Sequence, residues 1–135
     1  MKTKPNHERF GFSKSEWEVF KKESRQIMVE TARSRGMITY GDLAAKMTTI
    51  PVEPHDMVLW EIIGDVARDE EKANRGLLSV VVVRKNDMQP GGGFYELAKY
   101  FNRNTGDKMK CVTTEMHKVH AVWSVKKAAN NYNVP

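Results

Sequence analysis

The sequence predicts an α+β domain that is mostly α, with about five helices and a small sheet of two to three strands. Apolar residues recur at helical spacing in several stretches, which is typical of amphipathic helices. Ser13 with Glu16, and Thr39 with Asp42, have the spacing of helix capping boxes. One β-branched run, residues 77–84, is apolar on both faces and therefore predicts a buried strand.

The chain has 135 residues, a length that fits a single domain. We expect this domain over residues 13–130, between a flexible arm at residues 1–12 and a frayed tail at residues 131–135. Phe10 and Phe12 are the residues through which the arm would dock, because the rest of it is polar.

Cysteine content and hydropathy indicate the cellular compartment in which the protein is expected. Cys111 is the single cysteine, so no internal disulfide can form and a reducing compartment is expected. The polar start lacks the apolar core of a secretory signal, and the longest apolar run is far too short to cross a bilayer. We therefore expect a cytoplasmic protein with no membrane partner.

The first half of the chain predicts two helices around a short strand. Helix one begins after Ser13, carries apolar residues at helical spacing and stops at Gly36. A short strand at residues 37–39 leads into a second helix over about residues 40–47.

The second half predicts three more helices and a second strand. Asp56 caps a third helix, and residues 77–84 follow it as the element that we expect to be most buried. A fourth helix begins right after the glycines at residues 91–93. Residues 111–113 suit an edge strand, and the last helix is capped at residue 113 or 114.

The distribution of charge favours a polyanionic partner. The net charge is +5 and the pI is about 9.4. Residues 1–36 carry nine Lys and Arg against five Asp and Glu, whereas residues 37–83 carry four against eight. Residues 84–135 carry nine against four, so both flanks are basic and the centre is acidic.

The middle of the chain contains a segment with a known counterpart. Residues 36–44 read Gly-Met-Ile-Thr-Tyr-Gly-Asp-Leu-Ala, and they resemble the segment G-x-[VI]-T-Y-G-[ED]-[IL]-A of alkylguanine-DNA alkyltransferases. Residues 63–67 are similar to that family's A-V-G-x-A recognition helix, and residues 82–87 resemble its approach to the wing. The resemblance covers residues 36–94 and implies a winged-helix-like core and DNA binding.

The resemblance does not extend to catalysis. The family's Pro-Cys-His-Arg signature is absent, and Ser79 stands in the place of its nucleophile with Val80 in the place of its histidine. A serine without an adjacent base is a poor nucleophile, so we expect no alkyl transfer. The pattern LLS…PGGGF also resembles a group of bacterial proteins of uncharacterised function, which suggests a bacterial source.

Nucleic-acid contacts are predicted on two parts of the chain. In the resembling family the tyrosine that matches Tyr40 contacts the DNA strand, so the resemblance implies that contact here. Basic residues of helix one and of the approach to the wing add positive charge. The residues predicted to bind nucleic acid are Tyr40, Lys21, Lys22, Arg25, Arg84 and Lys85.

The glycines before the fourth helix are a candidate anion site. Gly91, Gly92 and Gly93 free the backbone to bend, and the first amides of a helix carry partial positive charge. A phosphate or carboxylate could bind there. The alternative is a plain turn where nothing binds.

Two histidine motifs are weaker candidates. Glu115-x-His117-x-x-His120 places two imidazoles one helical turn apart, but no third ligand is evident and a structural pair is favoured over a metal site. His55-Asp56 reads as a helix cap rather than an acid–base pair. We therefore predict neither a metal nor a cofactor.

The tryptophans read as core residues. Trp60 and Trp123 are more typical of core packing than of base-stacking platforms, because large aromatic residues are usually buried.

The third helix carries the observation against DNA binding. Asp65, Asp69, Glu70 and Glu71 would repel phosphates if that helix entered a groove. Three alternatives stay open. In the first, the carboxylates cluster at the far end of the helix. In the second, the basic face belongs to helix one and the last helix. In the third, the fold binds a protein.

These observations predict a small nucleic-acid-binding protein without catalytic activity, with DNA as the favoured partner. The alternative is a protein-interaction, adaptor or immunity-associated subunit with a winged-helix-like fold. A small enzyme with a phosphate-binding glycine loop ranks third.

Overall fold

A computed structural model describes the backbone of residues 9–132 and the side chains of residues 10–124. This part of the chain contains five α-helices and one two-stranded sheet, so the predicted α+β, mostly α class is confirmed. The elements are α1 (Lys14–Arg33), β1 (Ile38–Thr39), α2 (Tyr40–Lys46), α3 (Met57–Lys72), β2 (Val82–Val83), α4 (Gly92–Tyr100) and α5 (Lys108–Tyr132). Short 3₁₀ helices occupy Arg9–Gly11 and Leu78–Val81.

The two ends of α1 are set by local hydrogen bonds. The predicted capping box is present, because the Glu16 amide donates to Ser13 Oγ at 3.2 Å and the Ser13 amide donates to Glu16 Oε1 at 2.8 Å. At the other end the left-handed residue is Arg35, with φ of 56°, and not Gly36. The Gly36 amide donates to the Thr31 carbonyl at 3.0 Å and so closes the last turn.

The N-termini of α2 and α3 differ in how they are capped. Thr39 accepts a hydrogen bond from the Asp42 amide at 3.0 Å, which is one of the two hydrogen bonds of the predicted capping box. Asp56 holds the cap position of α3 but makes no cap bond with its side chain. Its carboxylate accepts instead from the Glu53 amide at 2.8 Å, and it therefore orders the loop before the helix.

The apolar run after α3 is buried as predicted, but most of it is not a strand. Every residue from 77 to 83 is at most 5% exposed. Leu78–Val81 is a 3₁₀ helix, in which the Val80 amide donates to the Leu77 carbonyl at 3.0 Å. A run that is apolar on both faces is buried in either conformation, so its hydrophobic pattern does not distinguish the two.

The sheet is a single parallel pair in which Ile38 pairs with Val82 and Thr39 with Val83. The predicted edge strand at residues 111–113 is wrong, because these residues lie inside α5. Asp107 caps that helix by accepting from the Lys110 amide at 3.1 Å, which moves its start ahead of the predicted one.

The predicted flexible ends are partly ordered. Phe10 stacks on Trp17 with ring centroids 6.0 Å apart, and Phe12 meets Phe20 edge to face at 4.9 Å. Backbone helix continues through Tyr132, into the segment that was predicted to be frayed. Residues 1–8 and 133–135 lie outside the described residues.

The core lies where α1 and α3 pack against each other and against α5 and the buried run. Trp17 is at its centre, with Nε1 donating to Asp65 at 2.9 Å. Within residues 9–132, no helix is both long enough and apolar enough to cross a membrane.

Glu23 fixes the segment after α2 to α1. Its carboxylate accepts four hydrogen bonds of 2.6 to 2.9 Å, from the amides and hydroxyls of Thr48 and Thr49. Burial alone would raise the pKa of Glu23, but these hydrogen bonds outweigh it and lower the pKa to about 2.

We predict that Glu23→Ala lowers the free energy of unfolding by about 1.5–3 kcal/mol at pH 7, the usual range for hydrogen bonds to a charged group. Because the folded pKa is depressed, this stability is complete above the ordinary pKa near 4.5 and is lost as the pH falls through about 2. Urea unfolding at pH 7 and pH 2.5 measures both. Glu18→Ala, on the same helix, is the control and should change little, since Glu18 has only a 3.5 Å contact with Lys21.

Candidate functional site

The four carboxylates on the second half of α3 are neutralised within the fold. Each accepts a hydrogen bond or ion pair from a nearby cation. The pairs are Arg68–Asp65 at 2.8 Å, Lys21–Asp69 at 2.7 Å, Arg75–Glu70 at 2.6 Å and Arg103–Glu71 at 2.7 Å. They lie at the far end of the helix, as one of the three alternatives requires. The repulsion that the sequence predicts between α3 and a phosphate backbone is therefore weakened.

The same pairs engage two of the basic residues that were predicted to bind nucleic acid. Burial alone would lower the pKa of Lys21, but the hydrogen bond and the charge of Asp69 raise it. Arg25 donates to Glu70 at 2.7 Å. Lys22, between them in sequence, is exposed. Lys22 is thus the member of the predicted group on α1 whose charge is open to solvent.

Three arginines surround one buried tryptophan, and we call this group the arginine cluster. The guanidinium carbons of Arg25, Arg33 and Arg75 lie 5.5, 5.9 and 5.8 Å from the centroid of the Trp123 ring. Such distances allow cation–π attraction, which holds the guanidinium groups in place. Trp123 is 4% exposed, so the prediction that it is a core residue is confirmed.

The arginine cluster holds one carboxylate, that of Glu70, which is 1% exposed. Burial alone would raise the pKa of Glu70, but hydrogen bonds from Arg75 and Arg25 hold it below its ordinary value. Counting Glu30, which pairs with Arg33, three guanidinium groups face two carboxylates and leave an excess of one positive charge. This excess lies at the surface, because the arginine side chains are 34% to 40% exposed.

Arg33 is the least engaged arginine of the cluster. Its ion pair with the exposed Glu30 is 3.7 Å long, and among the described residues its Nε has no hydrogen-bond partner. Sequence reasoning missed Arg33 and Arg75 as members of a site. The available signal was the spacing of Arg25 and Arg33, eight residues apart, which places them on the same side of a helix.

The other predicted contacts meet at one edge of the sheet. Because β1 and β2 are parallel and in register, Tyr40 and Arg84 follow directly at the same end. The Gly91 amide donates to the Tyr40 hydroxyl at 3.1 Å. Burial raises the pKa of Tyr40, opposed by the Gly91 hydrogen bond and the charge of Arg84. The Tyr40 hydroxyl thus holds the glycine loop in place and does not point freely to solvent.

Arg84 and Lys85 lie on a tight turn. The Arg84 amide donates to the Gln89 carbonyl at 2.9 Å, and the Met88 amide donates to the Arg84 carbonyl at 2.8 Å. The Arg84 side chain pairs with Asp87 at 2.7 Å, whereas Lys85 is exposed. In the described part of the chain this turn stands where the resemblance implies a wing.

The glycine loop leads into α4, which begins at Gly92, two residues before the predicted start. A side chain at Gly91 would come within 2.9 Å of the Tyr40 hydroxyl, so close approach requires glycine there. The Phe94 amide donates to the Gly91 carbonyl at 3.1 Å, which closes the first turn. Gly92 and Gly93 are exposed. The role that these contacts assign to Gly91 is structural.

The histidine motifs do not come together as sites. Glu115 is buried and accepts from Arg103, whereas His117 is exposed and His120 Nε2 lies 3.0 Å from the Gly36 carbonyl oxygen. Within the described residues, no group of three or more His, Cys, Asp or Glu side chains is placed to hold a metal ion. His55 is exposed beside the loop that Asp56 orders.

Ser79 lies inside the buried run that follows α3. It is 5% exposed, and its Oγ has no hydrogen-bond partner among the described residues. A hydroxyl in apolar surroundings with no proton acceptor is not activated as a nucleophile.

Trp60 is a correction to the sequence prediction. It is 48% exposed, with Nε1 donating to the Pro54 carbonyl at 3.0 Å. The core side of α3 is formed by other positions, and Trp60 falls outside it at helical spacing.

A cavity of about 540 Å³ lies between α1 and the segment before α3, and the carboxylates of Glu16 and Asp56 line it among apolar residues. Such a lining does not suit phosphate.

Comparison with known proteins found no match: no family model, no curated protein and no solved structure is significantly similar to the chain.

Proposed function

We propose that this chain is a small nucleic-acid-binding protein without catalytic activity, with DNA as its favoured partner. The arginine cluster, assisted by Lys22 on the same helix, makes the principal contact with the phosphate backbone. The observation that carries the proposal is the convergence of three partly exposed guanidinium groups on one buried indole, with one buried carboxylate, that of Glu70, among them.

The chemistry of the cluster suits phosphate. A guanidinium presents several N–H donors in a plane and binds phosphate oxygens in pairs. Trp123 and Glu70 hold the guanidinium groups from within, so less conformational entropy is lost when a phosphate binds. Arg33 has donor capacity to spare, because its contact with Glu30 is long.

The element order supports the winged-helix part of the proposal. α1, β1, α2, α3 and β2 follow one another as the resemblance implies for the opening of a winged helix. In our proposal the acidic half of α3 stays paired inside the fold and does not face the nucleic acid.

The buried Cys111 thiol, whose pKa is raised by burial, fits a reducing compartment, and we propose a cytoplasmic location.

We predict that Arg33→Gln weakens binding to a mixed-sequence DNA duplex severalfold at low salt. It should also reduce the slope of log affinity against log salt concentration by about 0.9, the value for one lost phosphate contact on duplex DNA. Fluorescence anisotropy at four salt concentrations measures both quantities. Arg33 is the residue to change because Arg25 and Arg75 also hold Glu70, so their removal would perturb the fold.

Lys46→Gln is the matched control, since it removes one charge from an exposed residue at the end of α2. If the two variants lose affinity equally, net charge and not the arginine cluster governs binding. If the unaltered protein does not bind duplex or single-stranded DNA at low salt, the proposed function is wrong.

A further inference from the structure

Four of the eight methionines line one groove, which we call the methionine groove. It has a volume of about 440 Å³ and lies between α5 and the loops that follow α1 and β2. Its apolar lining is Met37, Met88, Met109, Met116 and Val112. Met37, Met88 and Met109 are 41% to 64% exposed, which is unusual for so many large apolar side chains in one place.

The polar lining of the groove is basic or neutral. It consists of Arg35, His117, His120, Gln89 and Thr113, and no carboxylate is among the described residues that line the groove. Among the side chains that line the groove, that of Arg35 carries the positive charge that a carboxylate on the rim would meet.

The groove follows one side of α5 for a defined length. Met109, Val112, Met116 and His120 recur every three to four residues, so they form one stripe along the helix. The stripe spans roughly 16 Å at the usual rise per residue, which is about three helical turns. A helix of three turns laid along it would present its own apolar residues at the same spacing.

Two strained residues lie on the side of the groove opposite α5. Arg35 and Met88 each have φ of 56°, in the left-handed region that is unfavourable for residues other than glycine and asparagine. Both residues line the groove. Backbone strain of this kind persists only where the surrounding structure holds it in place. Glycine would relieve the strain at either position but would remove the side chain from the groove.

We propose that the methionine groove docks an acidic amphipathic helix from a partner protein. Methionine thioethers are flexible and polarisable, so they adapt to the apolar side of an incoming helix. Arg35, with the histidines beside it, pairs with carboxylates that flank that apolar side. The groove favours a protein over a nucleic acid because half of its ten described lining residues are apolar and Arg35 is the one lysine or arginine among them. The proposal does not depend on the nucleic-acid function, which uses the arginine cluster.

The test uses two synthetic helical peptides with identical leucines at i, i+3, i+4 and i+7. Glutamates flank the leucines in one peptide, and lysines flank them in the other. The readout is the NMR spectrum of ¹³C-methyl methionine in the full chain. We expect the glutamate peptide to shift the methyl signals of Met37, Met88, Met109 and Met116. Met28 and Met47 in the core, and the exposed Met57 outside the groove, should stay in place.

Two variants separate docking from folding. Met88→Gly should raise the Tm, because it relieves the left-handed strain. It should also lower the affinity for the glutamate peptide about tenfold, because it removes a side chain from the groove. Arg35→Glu should reverse the preference between the peptides, so that the lysine peptide binds more tightly. Met57→Ala, an exposed methionine outside the groove, should leave peptide affinity unchanged.

Four outcomes overturn the proposal. Equal shifts from both peptides would show that the groove does not prefer acidic peptides. Shifts at Met57 or at scattered methyl groups would show that the peptide does not bind in the groove. Groove methyls that shift with protein concentration alone identify a second copy of this chain as the occupant. Groove methyls that shift with duplex DNA, but not with the glutamate peptide, identify nucleic acid as the occupant.

Discussion

Arg103→Met should lower the free energy of unfolding by about 3–5 kcal/mol, the usual loss when one partner of a buried ion pair is removed. Arg103 donates to Glu115 from Nε and a terminal nitrogen, each at 2.9 Å, and to Glu71 at 2.7 and 2.8 Å. Glu115 is 3% exposed and also accepts from the Leu77 amide at 2.8 Å. Without the guanidinium, the charge of Glu115 would stay buried with a single amide donor.

The effect should be large because this arginine joins three parts of the fold. Glu71 belongs to α3, Glu115 to α5, and Leu77 opens the buried run. Since a domain of this kind is stable by about 5–15 kcal/mol, the loss would remove a large share of the total. Chemical unfolding at pH 7, followed by circular dichroism, measures it.

Two further variants test the explanation. Arg103→Met with Glu115→Gln should recover part of the loss, because the double variant no longer buries a charge. Arg84→Met removes a similar two-bond pair with Asp87, but both side chains are exposed and the stability should change little. A loss in Arg84→Met as large as in Arg103→Met would mean that burial does not decide the effect.

Sequence reasoning predicted the elements whose signals are local. The capping residues Ser13 and Thr39 act within three or four residues, so the starts of α1 and α2 could be read directly. The buried run was different. Its apolar pattern predicted burial, but the choice between strand and 3₁₀ helix depends on neighbouring elements that the pattern does not contain.

The candidate site was harder to predict because it depends on contacts between distant residues. Arg25, Arg33, Arg75 and Trp123 come from α1, the loop after α3 and α5, which meet only in the folded chain. The carboxylates of α3 were read as an exposed acidic face for the same reason, since the cations that neutralise Asp69 and Glu71 lie elsewhere in the sequence. Charge along a sequence does not specify which charges are paired.

Glu70→Gln should change stability and DNA binding in opposite directions. Glutamine cannot hold Arg25 and Arg75 as an ion, so the free energy of unfolding should fall by about 1–3 kcal/mol. The loss is smaller than for Arg103→Met because both arginines are partly exposed and water can solvate them. The excess charge of the arginine cluster rises by one at the same time, so DNA should bind severalfold more tightly at low salt.

The loss of stability in Glu70→Gln should also depend on pH. The pKa of Glu70 is below its ordinary value in the folded chain, so its contribution is complete above about pH 4.5 and is lost as the pH falls through the folded pKa. The stability difference between the unaltered protein and Glu70→Gln should therefore be largest near neutral pH. It should vanish at a pH below the folded pKa, where Glu70 is itself protonated. Urea unfolding from pH 7 downwards follows this difference.

Glu96→Gln makes the same change in net charge on an exposed residue of α4 and should barely alter either quantity. If Glu70→Gln weakens both stability and DNA binding, the cluster is structural and the bound phosphates lie elsewhere. If Glu70→Gln destabilises the fold and both variants raise the affinity for DNA equally, net charge alone governs binding. A gain in affinity that is confined to Glu70→Gln and disappears at high salt would place the phosphates at the arginine cluster, because the substitution releases Arg25 and Arg75 from their carboxylate.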